Sequence, residues 1–158
     1  MSILKAAAIS IATLNAHVID NLKCTQPFTT IPTIMALEAN GLIGRDTMKM
    51  WDGIVAFPIK GDWNLGPLPV KQIRLRFTDD LHQELLPELF DPDTPGTLPP
   101  ERYEFYLEAT VEEVTNWYEE TIDTIDLQPI FIFDQTDRLK KRWPEAKAIT
   151  SLACTPNF

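Results

Sequence analysis

The residues in this sequence with the most chemical potential are carboxylates, and they are unevenly spread. The stretch YEFYLEATVEEVTNWYEETIDTID, residues 103–126, holds eight of them and no Lys or Arg. Converging, buried carboxylates can split their pKa values and perform acid–base work. Here the spacing argues against convergence, because adjacent helical residues such as Glu112 and Glu113 diverge by about 100°. Glu112, Glu113, Glu119, Glu120 and Asp123 fall off the apolar stripe, and none has a Lys or Arg three or four positions away. Glu119 and Asp123 are like charges four residues apart, an unfavourable pair. Two uses fit such a ridge. One is a solvated face that aids solubility. The other is a docking surface for a basic patch on another protein, on a second copy, or on this chain's own Arg138, Lys140, Lys141 and Arg142.

One other acid stands in a chemically suggestive place. In PIFIFDQTDRL, Asp134 ends an apolar strand. The segment resembles the nucleophile strand of haloacid-dehalogenase-like phosphohydrolases, and that resemblance implies a Mg²⁺-dependent attack on phosphate by Asp134. The second Asp of that motif is replaced here by Thr136, and only 24 residues follow Asp134. As a reading without chemistry, Asp134 or Thr136 caps a helix starting at Asp137. A Gly-rich phosphate loop, a Gly-x-Ser-x-Gly elbow and a His-Glu-x-x-His pair are absent from the sequence. His17, inside an apolar helical pattern, reads as a packing residue, and His82 as a surface one. Cys24 and Cys154, 130 positions apart, read as two reduced thiols, with one long-range bridge as the alternative.

The elements that must position these residues follow from periodicity. Ile3, Ala7, Ile11, Leu14, Val18 and Leu22 mark a helix over residues 2–23, apolar on most sides and so expected to be covered on most of its surface. A second helix is expected over 33–40, closed by Gly41, and a third over 45–55. FPIKGDWNLGPLP, with three Pro and two Gly, reads as mostly irregular. VKQIRLRF alternates, with Ile73, Leu75 and Phe77 facing one way and Gln72, Arg74 and Arg76 the other. A helix over 78–90 and a proline-rich loop follow. RYEFYLEA alternates again, and Thr110 with Glu113 spells a capping box for the acidic helix, whose apolar face is Val111, Val114, Tyr118, Ile122 and Ile125. Residues 130–133 read as an interior strand, and TDRLKKRW as a basic helix stopped by Pro144. If the two alternating strands are neighbours, Arg74 and Arg76 meet Glu104 and Glu108 across the ladder.

These elements predict an α+β fold in one domain over residues 1–158, with a helical part over 1–57 and a sheet-containing part over 70–158. The expected layout is N-terminal helices followed by a small sheet with alternating strands and helices. The formal net charge of −9 is local in origin, since 15 of the 23 acids lie outside the stretch 103–126 and face 14 basic residues. A negative ridge repels phosphate, so direct nucleic-acid binding is disfavoured. The apolar run over 6–14 is too short to span a membrane, and the reading is a protein without a membrane segment, cytoplasmic or incorporated in a particle assembled there. The function expected from the whole pattern is non-enzymatic, without cofactor or metal. It is that of an assembly subunit binding a protein partner or copies of itself, of the viral tail or connector kind. The alternatives are an acidic inhibitor that mimics nucleic acid and the Asp134 phosphohydrolase.

Overall fold

The structure is a computed structural model that describes residues 10–24, 30–77, 102–122 and 130–155. In chain order the elements are α1 (Ile11–Asn21), α2 (Thr30–Ala39), β1 (Lys49–Trp51), β2 (Ile54–Pro58), β3 (Asn64–Leu65), β4 (Leu68–Arg76), β5 (Arg102–Leu107), α3 (Val111–Thr121), β6 (Ile130–Asp134), α4 (Thr136–Leu139) and β7 (Thr150–Cys154). The seven strands form one antiparallel sheet in the order β1-β2-β4-β5-β7-β6, with β3 paired to β4 at the side. The fold is α+β, but the sheet is larger than expected and helices occur throughout the chain. The expected helix over 78–90, the loop after it, and His82, Asp123 and Ile125 lie outside the described residues.

One expectation about the first half fails, and the reason is turn chemistry. The helix expected over 45–55 is instead the β1–β2 hairpin, with Trp51 opposite Ile54. Asp52 and Gly53 connect these strands with φ of 44° and 76°. An Asp-Gly pair accepts positive φ at both central positions, the requirement of a tight type I′ hairpin. The proline-rich segment after it also joins the sheet, since β2 runs to Pro58 and β3 pairs with β4 through Gly66. The helical part over 1–57 is therefore already sheet from Lys49 onward. The second helix holds, and Gly41 at φ 74° closes it. Its amide donates to Glu38 and that of Leu42 to Leu37, which satisfies carbonyls of the last turn.

Strands β4 and β5 are neighbours, as their charges suggested. Arg74 stands opposite Glu104, and Ile73 opposite Phe105. The register slips by one residue between Val70 and Gln72, a bulge at Lys71. That extra residue shifts the phase of alternation, so Leu68 and Val70 join Ile73, Leu75 and Phe77 on the same buried side. On this side Tyr103, Phe105, Leu107 and Leu152 form the main core with Leu14, Val18, Ile34, Leu37, Val114 and Trp117 from the helices. The other side carries a smaller cluster, in which Tyr106 packs with Leu139 and Ile149.

The C-terminal end of α1 is tied to β5, β7 and helix α3 (Val111–Thr121) at three points. Helix ends leave carbonyls unpaired, and burying them without donors is unfavourable. Here the Tyr103 hydroxyl donates to the Asn21 carbonyl, and the Tyr118 hydroxyl donates to Leu22 at 3.0 Å. Cys24, in the left-handed region at φ 57°, forms a disulfide with Cys154 on β7, with Cα atoms 5.7 Å apart. The expectation of reduced thiols is thus corrected, because the fold brings together cysteines that the sequence separates by 130 positions. The core covers Leu14 and Val18, but Ile11 stays 48% exposed and Ala12 and Ala16 are exposed too. The expected all-round cover of α1 is absent among the described residues.

Cross-linking a loop of this length is worth about 5 kcal/mol on the chain-entropy account. Replacing both Cys24 and Cys154 by Ala is therefore expected to lower the melting temperature by roughly 10–20 °C in scanning calorimetry. A change under a few degrees would mean that the bond carries no such constraint. Burial also pushes the Tyr118 hydroxyl up to about 12 and raises Tyr103. An unfolded tyrosine ionises near pH 10, so above that pH the unfolded chain sheds protons that the folded one keeps. Stability is expected to be full below pH 10 and to fall as pH rises from 10 to 12. Tyr118→Phe should lose about 1–3 kcal/mol at pH 8 in urea unfolding, and should show a shallower alkaline decline.

Candidate functional site

The acidic ridge sits on α3. Its start is fixed by the capping box, in which Thr110 accepts from the Glu113 amide at 3.1 Å and Glu113 Oε1 accepts from the Thr110 amide at 3.2 Å. Val114, Trp117, Tyr118 and Ile122 are buried, while Val111 in the first turn is 38% exposed. That packing turns Glu112, Glu113, Glu119 and Glu120 outward, and all four are exposed. One of them, Glu113, is committed to the helix cap. Asp123 lies beyond the described residues.

The basic segment occupies the opposite side of the sheet. It is not the longer helix expected from TDRLKKRW, since α4 covers only Thr136–Leu139 before the chain turns. Asp134 opens this short helix, its Oδ1 accepting from the Thr136 amide at 2.9 Å and hydroxyl at 2.6 Å. These two hydrogen bonds hold the exposed Asp134 carboxyl below the usual carboxylate value. Leu139 and Trp143 pack with Tyr106 and pin the segment to the sheet. Arg138, Lys140, Lys141 and Arg142 are left exposed around that anchor. Arg138 donates from Nη2 to the Tyr106 hydroxyl at 3.1 Å, and the Arg142 guanidinium lies 5.3 Å from the centroid of its neighbour Trp143.

The ridge and the basic segment are thus separated by the sheet, and neither neutralises the other. Among the described residues the ion pairs are Lys23–Asp20, Arg45–Glu38, Lys60–Asp46 and Arg102–Glu104. No residue of the ridge or of the basic segment takes part in them. The cross-strand pairing expected between Arg74 and Glu104 is only half realised. The strands and register agree, but Glu104 makes its ion pair with Arg102 at 3.4 Å, and Glu108 lies past the end of β5.

Arg74 is the residue whose role the sequence did not reveal. Its guanidinium lies between two rings, 4.6 Å from the Tyr106 centroid and 5.1 Å from that of Trp51, and its Nε donates to Gln72 Oε1 at 2.6 Å. Burial pulls its pKa below the ordinary value, and the charges of Arg138 and Arg142 add to that effect while Tyr106 and Glu104 oppose it. The alternation of VKQIRLRF put Arg74 on the polar side. Only the β4–β5 register, with Gln72 opposite Tyr106, places it beside the anchor of the basic segment.

The strand over 130–133 also departs from expectation. β6 is an edge strand rather than an interior one, and Phe131 and Phe133 are 41% and 51% exposed on the side of the basic segment. Their rings stack with centroids 6.1 Å apart, and Arg102 lies 5.9 Å over Phe131. His17 is exposed rather than packed. Among the described residues no three His, Cys, Asp or Glu side chains are grouped so as to hold a metal ion, and no helix is long and apolar enough to cross a membrane. No protein-family model, curated protein or solved structure matches the chain.

If the ridge acids have no partner within the chain, removing their charge should leave the fold intact. Glu119→Gln with Glu120→Gln is expected to change unfolding free energy by less than about 0.5 kcal/mol in urea titration. A loss above 1 kcal/mol would reveal an internal partner and a structural role.

Proposed function

We propose that this protein is a non-enzymatic binding subunit whose copies associate head to tail, the acidic ridge of one against the basic segment of the next. The observation that carries the reading is the placement, on opposite sides of one sheet, of two exposed and oppositely charged groups that form no ion pair among the described residues. Intramolecular neutralisation is blocked by the sheet between them. Association of two copies brings the charges together without any change of fold. Such an interface joins two different surfaces, so repeating it produces a ring when the rotation closes and a filament when it does not. A ring-forming component of a viral tail or connector is an assembly of this kind.

The disulfide bears on where the protein works. A buried bond between Cys24 and Cys154 fits an environment that does not reduce it, such as an assembled particle outside the cytosol. Of the two locations expected from the sequence, the cytoplasm or a particle assembled there, the bond favours the particle.

Exposed ion pairs weaken as salt shortens the screening length to a few ångström. Light scattering after size exclusion is expected to show oligomers in 50 mM NaCl and smaller species in 1 M NaCl. A strict monomer at low salt and high protein concentration would overturn the reading. A monomer that instead binds a basic nucleic-acid-binding protein at low salt would put nucleic-acid mimicry in its place.

A further inference from the structure

Two arginines meet at Tyr106 on the sheet face opposite the acidic ridge, and a third stands beside them. Arg74 rises from β4 and is stacked on Tyr106, Arg138 donates to the hydroxyl of the same tyrosine, and Arg142 lies over the ring of Trp143, which packs in the same cluster. The nearby carboxylate is Glu104, which is already paired with Arg102. Gln72, buried beside Tyr106, gives its amide oxygen to Arg74 and leaves its amide nitrogen without a hydrogen-bond partner. Like charges repel, so gathering them requires a reason or an absent anion. Tyr106 provides part of the reason, through one ring contact and one hydrogen bond. It adds no negative charge at neutral pH, because burial raises its hydroxyl pKa further above 10.

We propose that Arg74 and Arg138 at Tyr106, with Arg142 at the adjoining Trp143, form a socket that receives carboxylates of the α3 ridge from a second copy of this chain. The inference rests on the head-to-tail reading above and adds the receiving residues. Charge complementarity selects the occupant. Glu112, Glu119 and Glu120 are exposed, lack a cation among the described residues, and stand on a rigid helix that can present them together. Guanidinium groups pair with carboxylates through two parallel hydrogen bonds, which gives a directional contact that Lys140 and Lys141 cannot supply. Arg74 is held by its two rings and Gln72, so little side-chain freedom remains to be lost when a carboxylate docks. Lys140 and Lys141 then contribute long-range attraction at the edge of the contact rather than its centre.

Complementation between two variants tests the socket. Arg138→Glu with Arg142→Glu removes the socket but keeps the ridge. Glu119→Lys with Glu120→Lys removes the ridge but keeps the socket. Both pairs are exposed, and circular dichroism with thermal melting would verify that each variant folds. Each variant alone is expected to stay monomeric at concentrations where the parent chain associates. An equimolar mixture should associate again, because the ridge of the first variant matches the arginines of the second and the two reversed faces match each other. A mixture that stays monomeric, or an Arg138→Glu/Arg142→Glu variant that associates like the parent, would overturn the socket. In that last case head-to-tail association could still proceed through the lysines. A control with Lys140→Gln and Lys141→Gln separates the two ideas, since it should weaken association less than tenfold if the arginines form the centre. Failure of the parent chain itself to associate would remove the socket together with the reading on which it rests.

Discussion

The alternation of side chains along β5 is the constraint on which both surfaces depend. This strand lies between β4 and β7, and its residues point by turns to the two sides of the sheet. Tyr103, Phe105 and Leu107 enter the helical core, where they support α1 and α3. Glu104 and Tyr106 point the other way, where one pairs with Arg102 and the other anchors Arg74 and Arg138. A slip of one residue would exchange these sets, placing charges in the core and rings in solvent. The register is held on both flanks, by Arg74 opposite Glu104 and by Leu152 opposite Phe105. One strand therefore fixes where the acids and the bases go.

The same strand takes part in holding the chain's distant parts together. Tyr103 supplies a hydroxyl to the end of α1, next to the disulfide that joins that end to β7. Tyr118 on α3 reaches the same end, so three elements converge on the carbonyls of Asn21 and Leu22. Trp63 and Asn64 hold α1 near its middle through Asn15, with hydrogen bonds of 2.7 and 3.0 Å. Rigid anchorage of α1 and α3 on one sheet side bears on the proposed docking. A ridge of carboxylates that swung freely would lose more entropy on docking.

Local features of the fold were legible where one short segment contains its own physics. Thr110 and Glu113 announced the cap of α3, Gly41 the end of α2, and the two alternating runs became adjacent strands. The exposed acids were placed correctly because an amphipathic helix separates its faces by residue spacing alone. What the sequence hid depends on pairing at a distance. The hairpin at Asp52 and Gly53 carries a local signal, the Asp-Gly pair, which prevails over the helix expected across 45–55. The edge position of β6 was not legible, since a continuous apolar run looks the same in the middle of a sheet and at its border. Cys24 with Cys154 and Arg74 with Tyr106 needed the topology and the register, which spacing does not contain.

Cross-linking within an isotopically mixed sample tests the central claim most directly. A carbodiimide joins only carboxylates and amines already in contact. Equal amounts of light and heavy protein would be mixed, coupled at low salt and read by mass spectrometry. The account requires bonds from Glu112, Glu119 or Glu120 to Lys140 or Lys141, the amines that border the arginines, to appear as mixed light–heavy pairs, because the sheet keeps those side chains apart within one copy. Bonds confined to purely light or purely heavy pairs would show that each chain neutralises itself, and the account would be wrong.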